Sequence, residues 1–173
     1  LARVRTHLHL RQLQVELASH NQLLEQRIAT QVEAVTASQL ATIFALAKLA
    51  EARDDDTGHH IERVQTLARV LAEQLRETRP RASHLPPAFI DTLYQTASLH
   101  DIGKVGTPDG ILLKPGKLTA SEFAEMKQHC VLGANTLATV LERHPDNQFL
   151  RMGVEVARSH HEKWDGSGYP DGL

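Results

Sequence analysis

Cysteine is nearly absent from this chain of 173 residues. Cys130 stands alone, so no internal disulfide can form, and a reducing cytoplasm is the expected setting. Aromatic residues make up only 4% and β-branched runs are rare. Leu and Ala dominate instead, which points to an all-α protein. No stretch approaches about eighteen consecutive apolar residues, which argues against a membrane span, and no signal-peptide pattern opens the chain. Charge of one sign is also lacking. Nineteen Lys and Arg against twenty-one Asp and Glu leave a net charge of −2, so no basic field draws nucleic acid or anionic lipid. Internal repeats and low-complexity segments are missing too. With 41% hydrophobic residues, the chain can build one packed domain plus something small. Histidine is what the sequence has in plenty. Eleven are present, and His59, His60, His100, His129, His160 and His161 fall in the part of the chain with the strongest core pattern.

Residues 1–36 carry neither Pro nor Gly. Leu10, Leu17 and Leu24 recur at heptad spacing, with Leu13, Ile28 and Val35 near the same stripe. This predicts an amphipathic helix that dimerises as a linker, against the plainer alternative of a surface helix packed on its own domain. The chain opens on Leu1 in mid-helix, so a preceding segment is expected. The pattern continues through Leu40, Ile43, Phe44, Leu46, Ala47 and Ala50 and stops at Arg53-Asp54-Asp55-Asp56. Thr57 is the expected cap of a second helix, to Thr78, burying Ile61, Val64, Leu67, Ala68, Leu71 and Leu75. Pro86-Pro87 opens a third, carrying Phe89, Leu93, Ala97 and His100. No helix is expected to run through the Gly/Pro-rich stretch 103–116. Thr119 and Glu122 form a capping box for a helix with Phe123, Met126, Leu132, Leu137 and Leu141 on its inner face. After His144-Pro145 a last helix carries Leu150, Val154 and Ala157 into His160-His161. A Gly-rich loop, 164–173, closes the chain.

His100-Asp101 ends a helix with both side chains able to face inward. Burying a carboxylate beside an imidazole is costly unless a charge satisfies them. A divalent cation does so, and a carboxylate has two oxygens with which to bridge two of them. Alone, the dipeptide reads more simply as a helix C-terminal pair. It is not alone: His60 lies on the apolar stripe of its helix, His129 on the inner face of another, and His160-His161 continue the Ala157 and Val154 rows. Helical bundles build metal sites from facing helices in this way. Nitrogen and oxygen ligands without thiolate suit Mn, Fe, Co, Ni or Zn, and the ligand number suits two ions better than one. Cys130, next to His129, is expected to point away from that face as a plain buried thiol.

His100-Asp101-Ile102-Gly103-Lys104, followed by His160-His161-Glu162 and Asp165-Gly166-Ser167-Gly168-Tyr169-Pro170, closely resembles the HD-GYP domains, a branch of the HD-superfamily phosphohydrolases that cleaves cyclic di-GMP. Thr57-Gly58-His59-His60, the run 111–119, Met126-Lys127-Gln128-His129 and Gly133 match as well, so the resemblance covers about residues 40–173. It implies an HD-superfamily helical bundle over 37–173 behind the 1–36 linker. It also implies metal ligands at His60, His100, Asp101, His129, His160 and His161, two divalent transition-metal ions, and Lys104 as the substrate-phosphate contact. The implied activity is hydrolysis of cyclic di-GMP to pGpG, with onward cleavage to GMP left open. A non-catalytic receptor or docking module is the rival reading. Gly168, Tyr169 and Pro170 form the signature loop, which the resemblance links to cyclase-type partners. Trp164 beside it could stack on a guanine or cover the last helix. Where third-metal members carry Glu, this sequence has the shorter Asp56. A further Asp ligand is implied beyond Leu173. The opening LARVRTHL resembles the last helix of a receiver domain, as in a response regulator.

Overall fold

Without Pro or Gly before residue 58, nothing breaks the first helix early. In the computed structural model, which describes residues 2–53, 59–79 and 85–173, α1 runs Ala2–Glu51. The chain divides into two compact units, residues 1–42 and 43–173. The first holds only the part of α1 up to residue 42, and every residue from Ala2 to Gln39 is exposed, Leu10, Leu17 and Leu24 included. The apolar positions of this half of the helix are therefore not buried within one chain. Reading by uninterrupted apolar runs also missed one property of α1. A window within it is long and apolar enough on average to match a membrane span in length and composition, because its polar residues are mostly uncharged.

The second unit is all-α, with no strand among the described residues. Ala47 and Ala50 are buried at the end of α1. Helix α2, His60–Thr78, buries Ile61, Gln65 and Ala72 rather than the expected leucines. Leu67 and Leu71 are 67% and 61% exposed. Their stripe is apolar, but α3 and the 3-10 turn after it pack on the neighbouring stripe, where Gln65 Nε2 donates to the Tyr94 carbonyl at 3.0 Å. Thr57, the expected cap, lies outside the described residues, and His59 at the N-cap position makes no side-chain cap bond.

Helix α3, Pro87–Thr96, starts on the expected proline pair and passes into a 3-10 turn, Ala97–Leu99, that delivers His100. The Gly/Pro-rich stretch is not free of helix. A 3-10 segment, Ile102–Gly106, and the single turn α4, Asp109–Leu112, lie within it, because two short helices can form where one long one cannot. Gly103 is required there, since a Cβ would collide with the His129 carbonyl oxygen.

The expected helix over 119–141 is two, α5 (Ala120–Met126) and α6 (Gln128–Leu141). Phe123 and Leu132 are partly exposed rather than core. The chain's last helix, α7 (Gln148–Ser159), starts under an Asn147 side-chain cap and packs along α6.

The capping box at α5 is present. Glu122 N–H donates to Thr119 Oγ1 at 3.3 Å, and Thr119 N–H to Glu122 Oε2 at 2.6 Å. Lys114 Nζ donates to the same carboxylate at 2.6 Å. Lys114 first, then the Thr119 backbone, lower the Glu122 carboxyl to about 2. Its charged form therefore supports the fold above the ordinary value of 4.5 and loses that contribution as pH falls towards 2. Glu122→Gln is expected to lower the thermal midpoint at pH 7. The deficit should shrink steadily between pH 4.5 and pH 2, followed by circular dichroism.

Candidate metal centre

Five imidazoles and one carboxylate arrive from four places in the second unit. His60 opens α2, His100-Asp101 sits between the two 3-10 segments, His129 is in the first turn of α6, and His160-His161 follow α7. Backbone carbonyls orient three of the rings. His100 Nδ1 lies 2.9 Å from the Ala97 oxygen, His129 Nδ1 2.7 Å from that of Met126, and His160 Nδ1 3.0 Å from that of Ala157. A carbonyl can only accept, so each Nδ1 carries a proton, and each ring in its neutral form turns an Nε2 lone pair inward.

Those lone pairs converge. His60 Nε2 and His100 Nε2 are 3.2 Å apart, as are His129 Nε2 and His160 Nε2. Asp101 stands between the pairs, with Oδ2 3.2 Å from His100 and Oδ1 3.3 Å from His129 and 3.5 Å from His160. Asp101 Oδ1 is buried and accepts no hydrogen bond. Lone pairs facing one another and a carboxylate at these distances repel unless protons or cations lie between them. The chemistry of the donor set thus fits divalent cations. Two ligand groups meet here: His60, His100 and Asp101 in one, His129, Cys130, His160 and His161 in the other, each with its ligand atoms within 4.8 Å of one another.

Without cations, protons do part of the same work. Burial pushes the Asp101 carboxyl up, but His100, His129 and His160 together outweigh it and hold the group well below the usual carboxylate range. Burial likewise opposes charge on His129, yet Asp101 and then Cys130 raise that ring to about 10. Burial and the neighbouring His160 and His129 push His161 down to about 4, leaving it neutral at pH 7.

Lys104 Nζ reaches Asp101 Oδ2 at 2.9 Å. A cleft of about 690 Å³ opens beside these groups, lined by His60, Asp101, Lys104 and His161 and walled by apolar Leu93 and Val156. Asp56 lies outside the described residues. His59 is exposed. Cys130 does not point away from the His129 face. Its Sγ is 3.4 Å from His129 Nε2, and the residue is wholly buried. One residue turns a helix by only about 100°, and α6 is enclosed by α7 and the 3-10 segment, so both neighbours stay inside.

The signature loop folds back on the end of α7. Tyr169 stacks on His161 with ring centroids 4.6 Å apart, and Gly168 leaves no room for a Cβ against the Glu162 and Lys163 backbone. Burial raises the Tyr169 hydroxyl to about 12, so it stays protonated. Trp164 is fully exposed and covers nothing. Two residues that fix this loop escaped sequence reasoning. The Glu162 carboxylate accepts from the amides of Asp171, Gly172 and Leu173 at 2.7, 3.2 and 2.9 Å. Arg158 grips the Asp171 carboxylate with two bonds of 2.7 Å. Only Glu162, inside the His-His-Glu motif, carried a signal.

A helical bundle that gathers imidazoles from separate elements around one bridging-capable aspartate defines a metal-site protein of the all-α class. The family model of the HD domain matches residues 57–172. The chain belongs to the HD-domain family, and the His100-Asp101 pair with the Gly168-Tyr169-Pro170 loop makes it of the HD-GYP type. It is 50% identical, over 87% of its length, to a cyclic di-GMP phosphodiesterase of Vibrio cholerae, spanning 30% of that protein. It is 37% identical, over 99% of its length, to the cyclic di-GMP phosphodiesterase response regulator RpfG of Xanthomonas campestris, spanning 42% of it. A 3'3'-cGAMP-specific phosphodiesterase of Vibrio cholerae is 38% identical over 76% of the chain, which spans 23% of that relative. The chain therefore covers less than half the length of each of these relatives.

Proposed function

We propose that this chain is the metal-dependent phosphodiesterase part of a cytoplasmic response regulator, hydrolysing cyclic di-GMP to pGpG. The observation that carries the reading is Asp101, one carboxylate with each oxygen turned towards a different set of imidazoles. Similarity to phosphodiesterases of cyclic dinucleotides supports the substrate class, and the 50% identity to one named for cyclic di-GMP favours that member over 3'3'-cGAMP.

In this reading His60, His100, His129, His160, His161 and Asp101 hold two divalent ions drawn from Fe, Mn, Co, Ni and Zn, and Asp56 is not counted as a ligand to a third. When bound, such ions neutralise phosphodiester charge and lower the pKa of water so that hydroxide is available near neutral pH. The chain's own groups do the rest. The Ala97, Met126 and Ala157 carbonyls lock the imidazole tautomers, so the site needs little reorganisation to bind a cation. Lys104, half-buried at the cleft, donates to a non-bridging phosphoryl oxygen and offsets the charge that grows there. Leu93 and Val156 give the cleft an apolar wall for a base. The test is turnover of cyclic di-GMP by the full-length protein, with and without a chelator. Chelator-sensitive appearance of pGpG supports the reading, and tight binding of intact cyclic di-GMP without turnover overturns it.

The 1–36 segment is the linker in this proposal, and residues 37–173 are the catalytic domain. The exposed stripe of Leu10, Leu17 and Leu24 pairs with a second copy. A protein lacking residues 1–39 is expected to sediment as a monomer where the longer one sediments as a dimer. Equal oligomeric states would remove the linker role. The anchored Gly168-Tyr169-Pro170 loop, with Trp164 exposed beside it, is the face offered to diguanylate-cyclase-type partners.

A further inference from the structure

The last residues of the α1 region make contacts that the metal centre itself does not explain. Arg53 lies about fifty residues from the chain segment after Asp101, yet its guanidinium is spread across that segment. Nη1 donates to the carbonyls of Lys104 and Val105 at 3.3 and 2.5 Å. Nη2 donates to the Thr107 carbonyl at 3.3 Å and to Asp109 Oδ1 at 2.7 Å. The pair with Asp109 is exposed and on its own contributes little. Three carbonyls on one planar fork are different, because they fix the path of a short turn. That turn is the 3-10 segment bearing Lys104, whose own carbonyl also accepts from Thr107 N–H at 3.0 Å.

Two residues earlier, Glu51 does the same for the other side of the site. Its Oε1 accepts from Ile61 N–H at 3.2 Å, one of the first unpaired amides of α2. A carboxylate there caps the helix that presents His60, the task His59 leaves undone. Lys48 Nζ ties Glu51 Oε2 to Glu62 Oε2 at 3.0 and 2.7 Å. Glu51, His60, Asp101 and Lys104 all border one small cavity of about 20 Å³.

We propose that Arg53 and Glu51 are positioning residues for the catalytic centre: Arg53 sets where the Lys104 turn stands, and Glu51 sets where α2 offers His60. Neither touches the substrate. The inference rests on Lys104 being the phosphate contact, so its test is built to succeed or fail apart from turnover. Amide exchange of the segment 102–109 is compared between the wild type and Arg53→Met, both metal-loaded. Exchange should be about tenfold faster in the variant, the scale of losing a net hydrogen bond or two, while exchange in α6 and the metal content stay unchanged.

In turnover, Arg53→Met should lower kcat by about tenfold to a hundredfold with KM little altered, the scale for a misplaced group. Arg53→Met combined with Lys104→Ala should be no slower than Lys104→Ala alone. Arg53→Lys keeps the charge without the fork and carries the same comparisons, with smaller effects, should Arg53→Met fail to fold. Unchanged exchange over 102–109, or effects of the two substitutions that multiply, would overturn the positioning role. An inactive wild type with the exchange difference intact would instead overturn the proposed activity and leave the positioning role standing.

Discussion

Asp101→Ala is expected to empty the site of metal and to abolish hydrolysis, a loss of at least about a thousandfold. His100, His129 and His160 all face the Asp101 carboxylate. Without it the two ligand groups lose the atom pair that stands between them and the negative charge that would balance bound cations. The imidazoles remain, with Nε2 atoms 3.2 Å apart and nothing between them. The variant should still fold, since the carbonyls that orient the rings belong to α3, α5 and α7 and their turns. Metal content by elemental analysis and turnover on the same sample check both halves of the expectation. Full stoichiometry with normal turnover in the variant would remove Asp101 from the mechanism.

Lys104→Ala should separate metal binding from catalysis. The ammonium is 2.9 Å from Asp101 Oδ2 but is no ligand, so the metal content should match the wild type. The rate should fall by roughly two to three orders of magnitude, the scale for one lost transition-state charge contact. Lys104→Arg should recover only part of it, because a planar guanidinium on a longer stem cannot occupy the position of a compact ammonium. An unchanged rate would make Lys104 an ordinary lysine paired with a carboxylate.

Much of this centre could be read in advance because it depends on helical register. His60, His129 and His160 fall on inward rows, and the structure brings them together with His100, Asp101 and His161. The Thr119-Glu122 capping box was equally legible, being local chemistry over three residues. What escaped was decided by which element packs on which stripe. Periodicity marks Leu67 and Leu71 as apolar, but burial falls on Gln65 and Ala72 instead, with Gln65 bonded to the Tyr94 carbonyl of α3. Cys130 was misread because a helix enclosed on two sides has no outward face at that point. The roles of Arg53 and Glu162 could not be found from spacing, although Glu162 sits in the His160-His161-Glu162 motif. Each side chain acts on backbone groups of another segment, and any residue supplies a carbonyl or an amide.

The most direct measurement is elemental analysis of the metal-reconstituted full-length protein, made on the same sample in which cyclic di-GMP and its products are separated by chromatography. The account predicts two divalent ions per chain and conversion of cyclic di-GMP to pGpG, both lost on chelation. Two bound ions with cyclic di-GMP left intact, or full turnover in protein stripped of metal, would contradict it.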